Sequence, residues 1–132
     1  NPSAREAVSD VHRGEPYVYA QTIAGKEAPT FGEAKNTWLT GTAAWNFVAI
    51  SQWILGVRPT LDGLQIAPAI PTAWKEVDLQ RLYRGVTYKI HVERRGGGNQ
   101  VQLQVNGMQV TGNVIPIPAE GVREVSVLAI LS

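Results

Sequence analysis

The segment from Lys35 to Thr42 combines residue types that bind anions at the start of a helix. If the helix begins near Thr40, its first backbone N–H groups have no partner within the helix and point outward. The Thr40 hydroxyl and the bare backbone of Gly41 would let a ligand approach those donors, where the helix dipole favours negative charge. A threonine cap with a small residue packed against another helix explains the same pattern, because capping threonines are common.

Gln21 is a second candidate because its amide offers both a donor and an acceptor to sugar hydroxyls. It lies in the apolar run from Tyr17 to Ala24, which we interpret as a helix that follows Pro16 and ends at Gly25. An exposed polar position, or a buried amide satisfied by backbone groups, explains Gln21 equally well.

The other reactive side chains show no catalytic or metal-ligand spacing. His12 lies among polar residues and His91 on the outward side of a predicted strand, so both are interpreted as solvated histidines. The pair Arg94-Arg95, followed by glycines, is interpreted as a solvated hairpin end. Trp38, Trp45 and Trp53 could stack on sugars, but tryptophans at helical spacing are more often core residues. The carboxylates are scattered, and none is assigned a catalytic role: Asp10, Glu15, Glu27, Glu33 and Asp62.

The composition excludes several classes of protein. The 132 residues include no cysteine, which rules out a disulfide scaffold and thiolate metal sites. A formal net charge of +1 with interspersed signs gives no electrostatic footprint for nucleic acid. The apolar stretch Trp38 to Leu55 is interrupted by polar residues, so we expect it to form a buried helix and not a membrane span. We expect a cytoplasmic protein that does not associate with membranes. The chain begins at Asn1 and its one methionine is Met108, which we interpret as processing or excision from something longer.

Residues 1–56 show a helical pattern. After the predicted helix to Ala24, residues 26–35 contain Pro29 and Gly32 and are interpreted as a loop. A second helix is predicted from about Asn36 or Thr40 to Leu55, ending at Gly56. This helix is apolar on nearly all sides, and such a helix must be surrounded by protein. The sequence therefore predicts partner helices that the 132 residues do not supply.

Residues 57–132 alternate between apolar and polar with period two, which predicts half-buried strands. Tyr88, Ile90 and Val92 should face the core, and the intervening side chains water. Asn106-Gly107 indicates a tight hairpin. The fold class is therefore α+β, with an antiparallel, jelly-roll-like sandwich after the helices. The predicted strands are 64–66, 77–83, 86–93, 101–105, 114–117 and 122–131.

Several segments together resemble the cellobiose phosphorylase family of inverting glycoside phosphorylases. These are Glu15 to Gln21, Gly32 to Trp45, Trp53 to Ile66, Tyr83 to Gly85 and Val105 to Pro116. The resemblance implies that residues 1–56 are the last helices of an (α/α)6 catalytic barrel and that residues 57–132 are a C-terminal β-sandwich domain. It is weaker over the first dozen residues and over 94–100.

The resemblance also implies an activity, namely reversible phosphorolysis of a β-linked disaccharide to an α-sugar 1-phosphate, with inversion. Inorganic phosphate would be the co-substrate, replacing the water of an inverting glycosidase, and no cofactor is needed. By motif, Thr40 and Gly41 would bind phosphate and Gln21 the transferred sugar. The family's general acid has no counterpart here, so no catalytic residue is assigned and the chain alone should be inactive. The implied partners are the rest of the barrel and a second copy in a homodimer.

Two other interpretations remain open. The chain could be the phosphorylase-like C-terminal module of a cyclic β-glucan synthase, which shares the barrel. It could instead be a non-catalytic β-domain that binds carbohydrate or supports a barrel, but the helical half would then have no purpose. Expression of residues 57–132 alone separates these interpretations, because a soluble, sugar-binding product would favour the binding module. The identity of the disaccharide depends on residues outside this chain.

Overall fold

Strands with alternating apolar and polar residues make up most of the regular structure in a computed structural model of the chain. These strands form three separate sheets. The structure describes residues 5–16 and 18–132. It is α+β, with helices near the N-terminus and mostly antiparallel strands after them. Two compact units divide between Val48 and Ala49. Within the described residues, no helix is both long enough and apolar enough to cross a membrane.

The first unit contains two short helices and a two-stranded sheet. Helix α1 covers Glu6–His12 and ends where Arg13 adopts a left-handed conformation (φ 53°). Strands β1 (Ala20–Ile23) and β2 (Ala34–Thr37) pair antiparallel. Helix α2 covers Thr42–Val48. The sequence did not predict α1, and it was wrong about His12, which α1 carries and which is buried at 6% exposure.

The predicted helix from Tyr17 to Ala24 is wrong, since its second half is β1; Tyr17 itself lies outside the described residues. The segment predicted as a loop contributes β2, which pairs Thr22 with Lys35 and Ile23 with Ala34. A short apolar run does not distinguish strand from helix by itself. Pairing with β2, together with the β-branched Thr22 and Ile23, decided in favour of the strand.

The second predicted helix begins later than expected and changes type in the middle. Asn36 and Trp38 have positive φ (51° and 73°), a conformation incompatible with a right-handed helix, so α2 starts only at Thr42. In the second unit, residues Ala49–Ile54 form a π-helix, in which the Leu55 N–H donates to the Ile50 carbonyl at 2.8 Å. Many apolar side chains of these helices are exposed, including Trp45 (75%) and Trp53 (61%).

The second unit places eight strands in two sheets. The five-stranded sheet has the order β5-β6-β10-β7-β8, and the three-stranded sheet has the order β3-β4-β9. Of these, β3 and β8 were not predicted. The strands are β3 (Val57–Pro59), β4 (Gly63–Ile66), β5 (Glu76–Tyr83), β6 (Val86–Arg94), β7 (Val101–Val105), β8 (Met108–Val110), β9 (Val114–Pro116) and β10 (Glu124–Leu131).

Both sheets contribute to one buried cluster. Leu64 and Ile66 of β4 and Tyr88, Ile90 and Val92 of β6 are all at most 2% exposed, which confirms the predicted inward row of β6. The predicted Asn106-Gly107 hairpin is also confirmed, because it joins β7 to β8 with two positive φ angles (48° and 81°). The expectation of purely antiparallel pairing is wrong, because β10 lies parallel to β6.

Arg94 was expected to be solvated but is buried at 8% exposure. Its Nη2 donates to the Ile70 carbonyl and to Asn99 Oδ1, both at 2.9 Å. Its Nη1 donates to the Gly98 carbonyl at 2.6 Å. Two of the acceptors lie in the adjacent 96–99 segment, but the Ile70 carbonyl comes from a loop 24 residues earlier, which the local sequence does not indicate. The guanidinium therefore ties two loops to the end of the five-stranded sheet.

We expect Arg94→Met to lower the free energy of unfolding of the full chain by about 3 kcal/mol, because the lost bonds leave buried carbonyls without donors. The measurement is urea unfolding followed by far-ultraviolet circular dichroism. Arg95→Met is the matched control, since the Arg95 side chain is 58% exposed and pairs with Glu93 at the surface; its effect should stay within about 0.5 kcal/mol. Equal effects of the two substitutions would contradict the role of Arg94.

Candidate functional site

The end of β2 and the start of α2 border a small pocket in the first unit. It has a volume of about 330 Å³, and its lining combines aromatic rings with a hydroxyl. The lining residues are Pro16, Val18, Tyr19, Trp38, Thr40 and Ala43. One of the predicted phosphate-binding residues therefore lies beside two aromatic side chains.

The Thr40 hydroxyl is half-buried and takes part in the local turn before α2. It accepts the Thr42 N–H at 3.1 Å and lies 2.6 Å from the Thr42 hydroxyl, with either oxygen able to donate. Such side-chain-to-backbone bonds stabilise turns and helix starts. The capping interpretation of Thr40 is therefore present in the structure, and a ligand would have to share or replace these bonds.

Free backbone donors surround Thr40. The N–H groups of Gly41, Ala43 and Ala44 have no acceptor among residues 5–16 and 18–132, whereas the Trp45 N–H donates to the Gly41 carbonyl at 3.1 Å. Gly41 is exposed, and an added Cβ would approach only the Trp45 ring, at an ordinary 3.8 Å. Packing within the described structure therefore does not require glycine at this position.

Gln21 does not line this pocket. It is exposed on β1, and its Oε1 accepts a hydrogen bond from Asn36 Nδ2 at 3.2 Å. This bond joins β1 to the end of β2, next to the segment that carries Thr40. The structure thus places Gln21 on the neighbouring sheet rather than on the expected helix.

Trp38 and Glu15 form a contact that the sequence did not predict. The indole Nε1 of Trp38 donates to Glu15 Oε1 at 3.1 Å, while the Trp38 side chain remains 72% exposed. The expectation that Trp38 is a core residue is therefore wrong for this structure. No spacing signal could have revealed the pair, because the two residues are 23 positions apart.

The pKa of Glu15 lies below its ordinary value of 4.5. The largest cause is a hydrogen bond from its own backbone N–H, followed by bonds from the side chains of Trp38 and Thr37, which all favour the charged carboxylate. The carboxylate form is therefore the one that holds the Trp38 indole.

Titratable side chains also pair outside this pocket. In the second unit, His91 Nδ1 lies 2.8 Å from Asp78 Oδ1 across β5 and β6, on an exposed sheet face. Among the described residues, no group of three or more His, Asp or Glu side chains is arranged to hold a metal ion.

Acid should weaken the hydrogen bond from the Trp38 indole to Glu15, because a neutral carboxyl is a poorer acceptor than a carboxylate. Because the pKa of Glu15 is lowered on folding, its stabilising contribution is complete above the ordinary value of 4.5 and is lost as pH falls through the folded value. The Trp38 indole N–H signal, followed by NMR, should therefore titrate with a midpoint below 4.5. Glu15→Gln should abolish this transition, and Glu27→Gln, at an exposed site in the 26–32 turn region, should leave it unchanged. A transition that survives in Glu15→Gln would refute the assignment.

Comparison with known proteins identifies the family to which the segment that carries this pocket belongs. Residues 1–56 match the glycosyl hydrolase 94 superfamily, catalytic domain. The chain is 35% identical over 122 residues to solabiose phosphorylase of Paenibacillus borealis, which covers 91% of the chain and 16% of that protein. It is 35% identical over 132 residues to N,N'-diacetylchitobiose phosphorylase of Vibrio furnissii, covering 97% of the chain and 16% of the relative.

A relative named for a different activity is also similar to this chain. The chain is 36% identical over 102 residues to a cyclic beta-(1,2)-glucan synthase of Rhizobium meliloti (strain 1021), covering 77% of the chain and 4% of that protein. The chain spans only 16% of the length of each of the two phosphorylases. The superfamily match includes the whole pocket, and the similarity to phosphorylases extends over most of the chain. This protein therefore belongs to the glycosyl hydrolase 94 superfamily.

Proposed function

We propose that this chain is part of an inverting phosphorylase that cleaves a β-linked disaccharide with inorganic phosphate. The products would be a free sugar and an α-sugar 1-phosphate. The phosphorylases similar to this chain act on disaccharides according to their names, and their similarity covers 91% and 97% of it. The second supporting observation is the pocket at the start of α2.

Phosphate is proposed to bind at Thr40 and Gly41. A hydroxyl, the exposed backbone of a glycine, and N–H groups of Gly41, Ala43 and Ala44 that find no acceptor among the described residues come together in the chain at the start of α2. Such donors suit a phosphate oxygen, and the partial positive charge at the first turn adds to the attraction. The absence of a packing reason for Gly41 supports close approach by a ligand. This combination is the single observation that carries the phosphate site.

Gln21 is proposed to bind the transferred sugar, and its amide is already oriented by Asn36. In an inverting displacement, phosphate attacks the anomeric carbon on the face opposite the departing sugar, and a carboxylic acid protonates the leaving oxygen. We assign no residue of this chain to that acid. The chain's proposed task is to hold phosphate and sugar in line, while the acid belongs to another part of the enzyme.

The proposed architecture assigns residues 1–56 to the end of an (α/α)6 barrel and residues 57–132 to a jelly-roll-like β-domain. The superfamily match over 1–56 supports the first assignment. Exposed apolar side chains of α2, such as Trp45 (75%) and Phe47 (64%), support missing neighbours, for which the rest of the barrel is the proposed cover. A homodimer, a cytoplasmic location and the absence of a cofactor remain predictions.

A cyclic β-glucan synthase module is the second candidate, favoured by the match to the Rhizobium meliloti protein. That match covers 77% of the chain, less than the matches to the two phosphorylases. Phosphate-dependent release of a sugar 1-phosphate by the complete polypeptide would separate the two candidates.

In the complete enzyme, Thr40→Val should raise the KM for phosphate by roughly tenfold or more, because a hydrogen bond to a charged ligand is worth about 1.5–3 kcal/mol. The KM for the disaccharide should change much less. Steady-state kinetics with each substrate varied in turn measure both values. Thr111→Val, at an exposed position far along the chain, is the control; an unchanged phosphate dependence in Thr40→Val would contradict the placement.

The 132-residue chain should bind a hydrophobic dye such as ANS through its exposed helix side chains. We expect Trp45→Gln combined with Phe47→Gln to reduce ANS fluorescence strongly. Leu61→Gln combined with Met108→Gln is the matched control. These residues are at least as exposed (88% and 72%) as Trp45 and Phe47 (75% and 64%) but lie in the second unit. If both double variants reduce ANS fluorescence by the same amount, α2 is not the exposed apolar surface that binds the dye.

A further inference from the structure

We propose that Trp38 is a stacking platform for the pyranose ring of the substrate, held in position by Glu15. This inference rests on the proposed function and extends it to two residues that the family resemblance does not assign. It starts from the geometry of Trp38 rather than from its residue type, because isolated exposed tryptophans are common.

The backbone of Trp38 is unusual for a bulky residue. Its φ of 73° lies in the left-handed region, which large side chains rarely occupy. Residues held in this region concentrate at ligand-binding and catalytic sites, where the surrounding structure maintains them. Here the conformation turns the chain between β2 and α2, and it leaves the indole beside the pocket.

The orientation of the indole is fixed by Glu15. The bond from Nε1 to Glu15 Oε1 engages the only polar group of the ring at 3.1 Å. The remaining exposed surface of the ring is therefore apolar. A ring held at its edge offers its face to a ligand without the cost of ordering the side chain on binding.

The pocket next to this face has the chemistry of a sugar site. Aromatic rings of Trp38 and Tyr19 can contact the C–H face of a pyranose, and the Tyr19 hydroxyl can donate to or accept from its hydroxyl groups, while Thr40 in the same lining is left for the proposed phosphate. Its volume of about 330 Å³ is near the lower end for small-molecule sites. That size favours a single sugar ring over an extended chain.

Trp45 provides the contrast within the same unit. It is as exposed as Trp38, but it lies inside α2 in ordinary helical conformation and does not line the pocket. Within the described part of the chain its indole donates no hydrogen bond. Trp45 thus has the properties of a packing surface, whereas Trp38 has a strained backbone, an anchored ring and an adjacent hydroxyl.

The test is an NMR titration of the 132-residue chain with methyl β-D-glucopyranoside and, separately, with inorganic phosphate. The sugar should shift the indole signal of Trp38 saturably. Trp38→Ala should weaken sugar binding by about tenfold, judged from the amides of Thr40 and Ala43, and Trp38→Phe should restore it to within about threefold. Trp74→Phe, which removes an exposed tryptophan of the second unit, should bind as the parent does.

Glu15 is tested as a positioning residue by variants that differ in their ability to accept the indole N–H. Glu15→Gln should keep sugar binding within about threefold and remove its loss at acidic pH, whereas Glu15→Ala should weaken binding at every pH. A structural role alone would not produce this difference in pH dependence. Equal binding by Glu15→Ala and the parent would overturn the positioning role.

The two titrations separate the failure of this inference from the failure of the proposed function. If phosphate shifts the Gly41 amide but the sugar leaves the Trp38 indole unmoved, the platform is refuted and the phosphate site stands. If the sugar binds with equal affinity to the parent and to Trp38→Ala, the platform is also refuted. If phosphate does not shift the Gly41 amide, the proposed phosphate site fails, whatever the sugar does.

Discussion

The turn from β2 into α2 is the constraint on which the candidate site depends. Two residues with positive φ, Asn36 and Trp38, end the strand and delay the helix until Thr42. The same reversal places Thr40 and Trp38 in the lining of one pocket, and Gly41 follows Thr40 directly in the chain. A regular helix beginning at Asn36 would distribute these groups over different sides of a cylinder.

Two hydrogen bonds between distant residues support this turn. Asn36 donates to Gln21 on β1, and Trp38 donates to Glu15 just before β1. Both bonds connect the turn to the segment that pairs with β2, so the two-stranded sheet and the turn stabilise each other. Residues proposed to bind sugar thus also hold the backbone that carries the proposed phosphate donors.

The second unit contains a more conventional source of stability. Its two sheets bury alternate side chains in one cluster, and buried apolar area is the main favourable contribution to folding. Arg94 is the exception, a buried cation whose Nη1 and Nη2 donate to carbonyl and amide oxygens instead of a carboxylate. The β-unit thus has its own core, whereas the described residues of the first unit leave much of the apolar helix α2 exposed.

The sequence by itself determined the features that depend on near neighbours. Alternation predicted β6 and its inward row, Asn-Gly predicted the hairpin after β7, and several motifs between Glu15 and Pro116 together indicated the family. Tertiary structure decided where distant segments meet. Pairing with β2 made 20–23 a strand, β10 joined β6 in parallel, Arg94 found acceptors near Ile70, and Glu15 met Trp38. In each case a backbone or side-chain group forms its hydrogen bond with a residue far away in the sequence. Local helix and strand propensities carry no information about which distant residue that is.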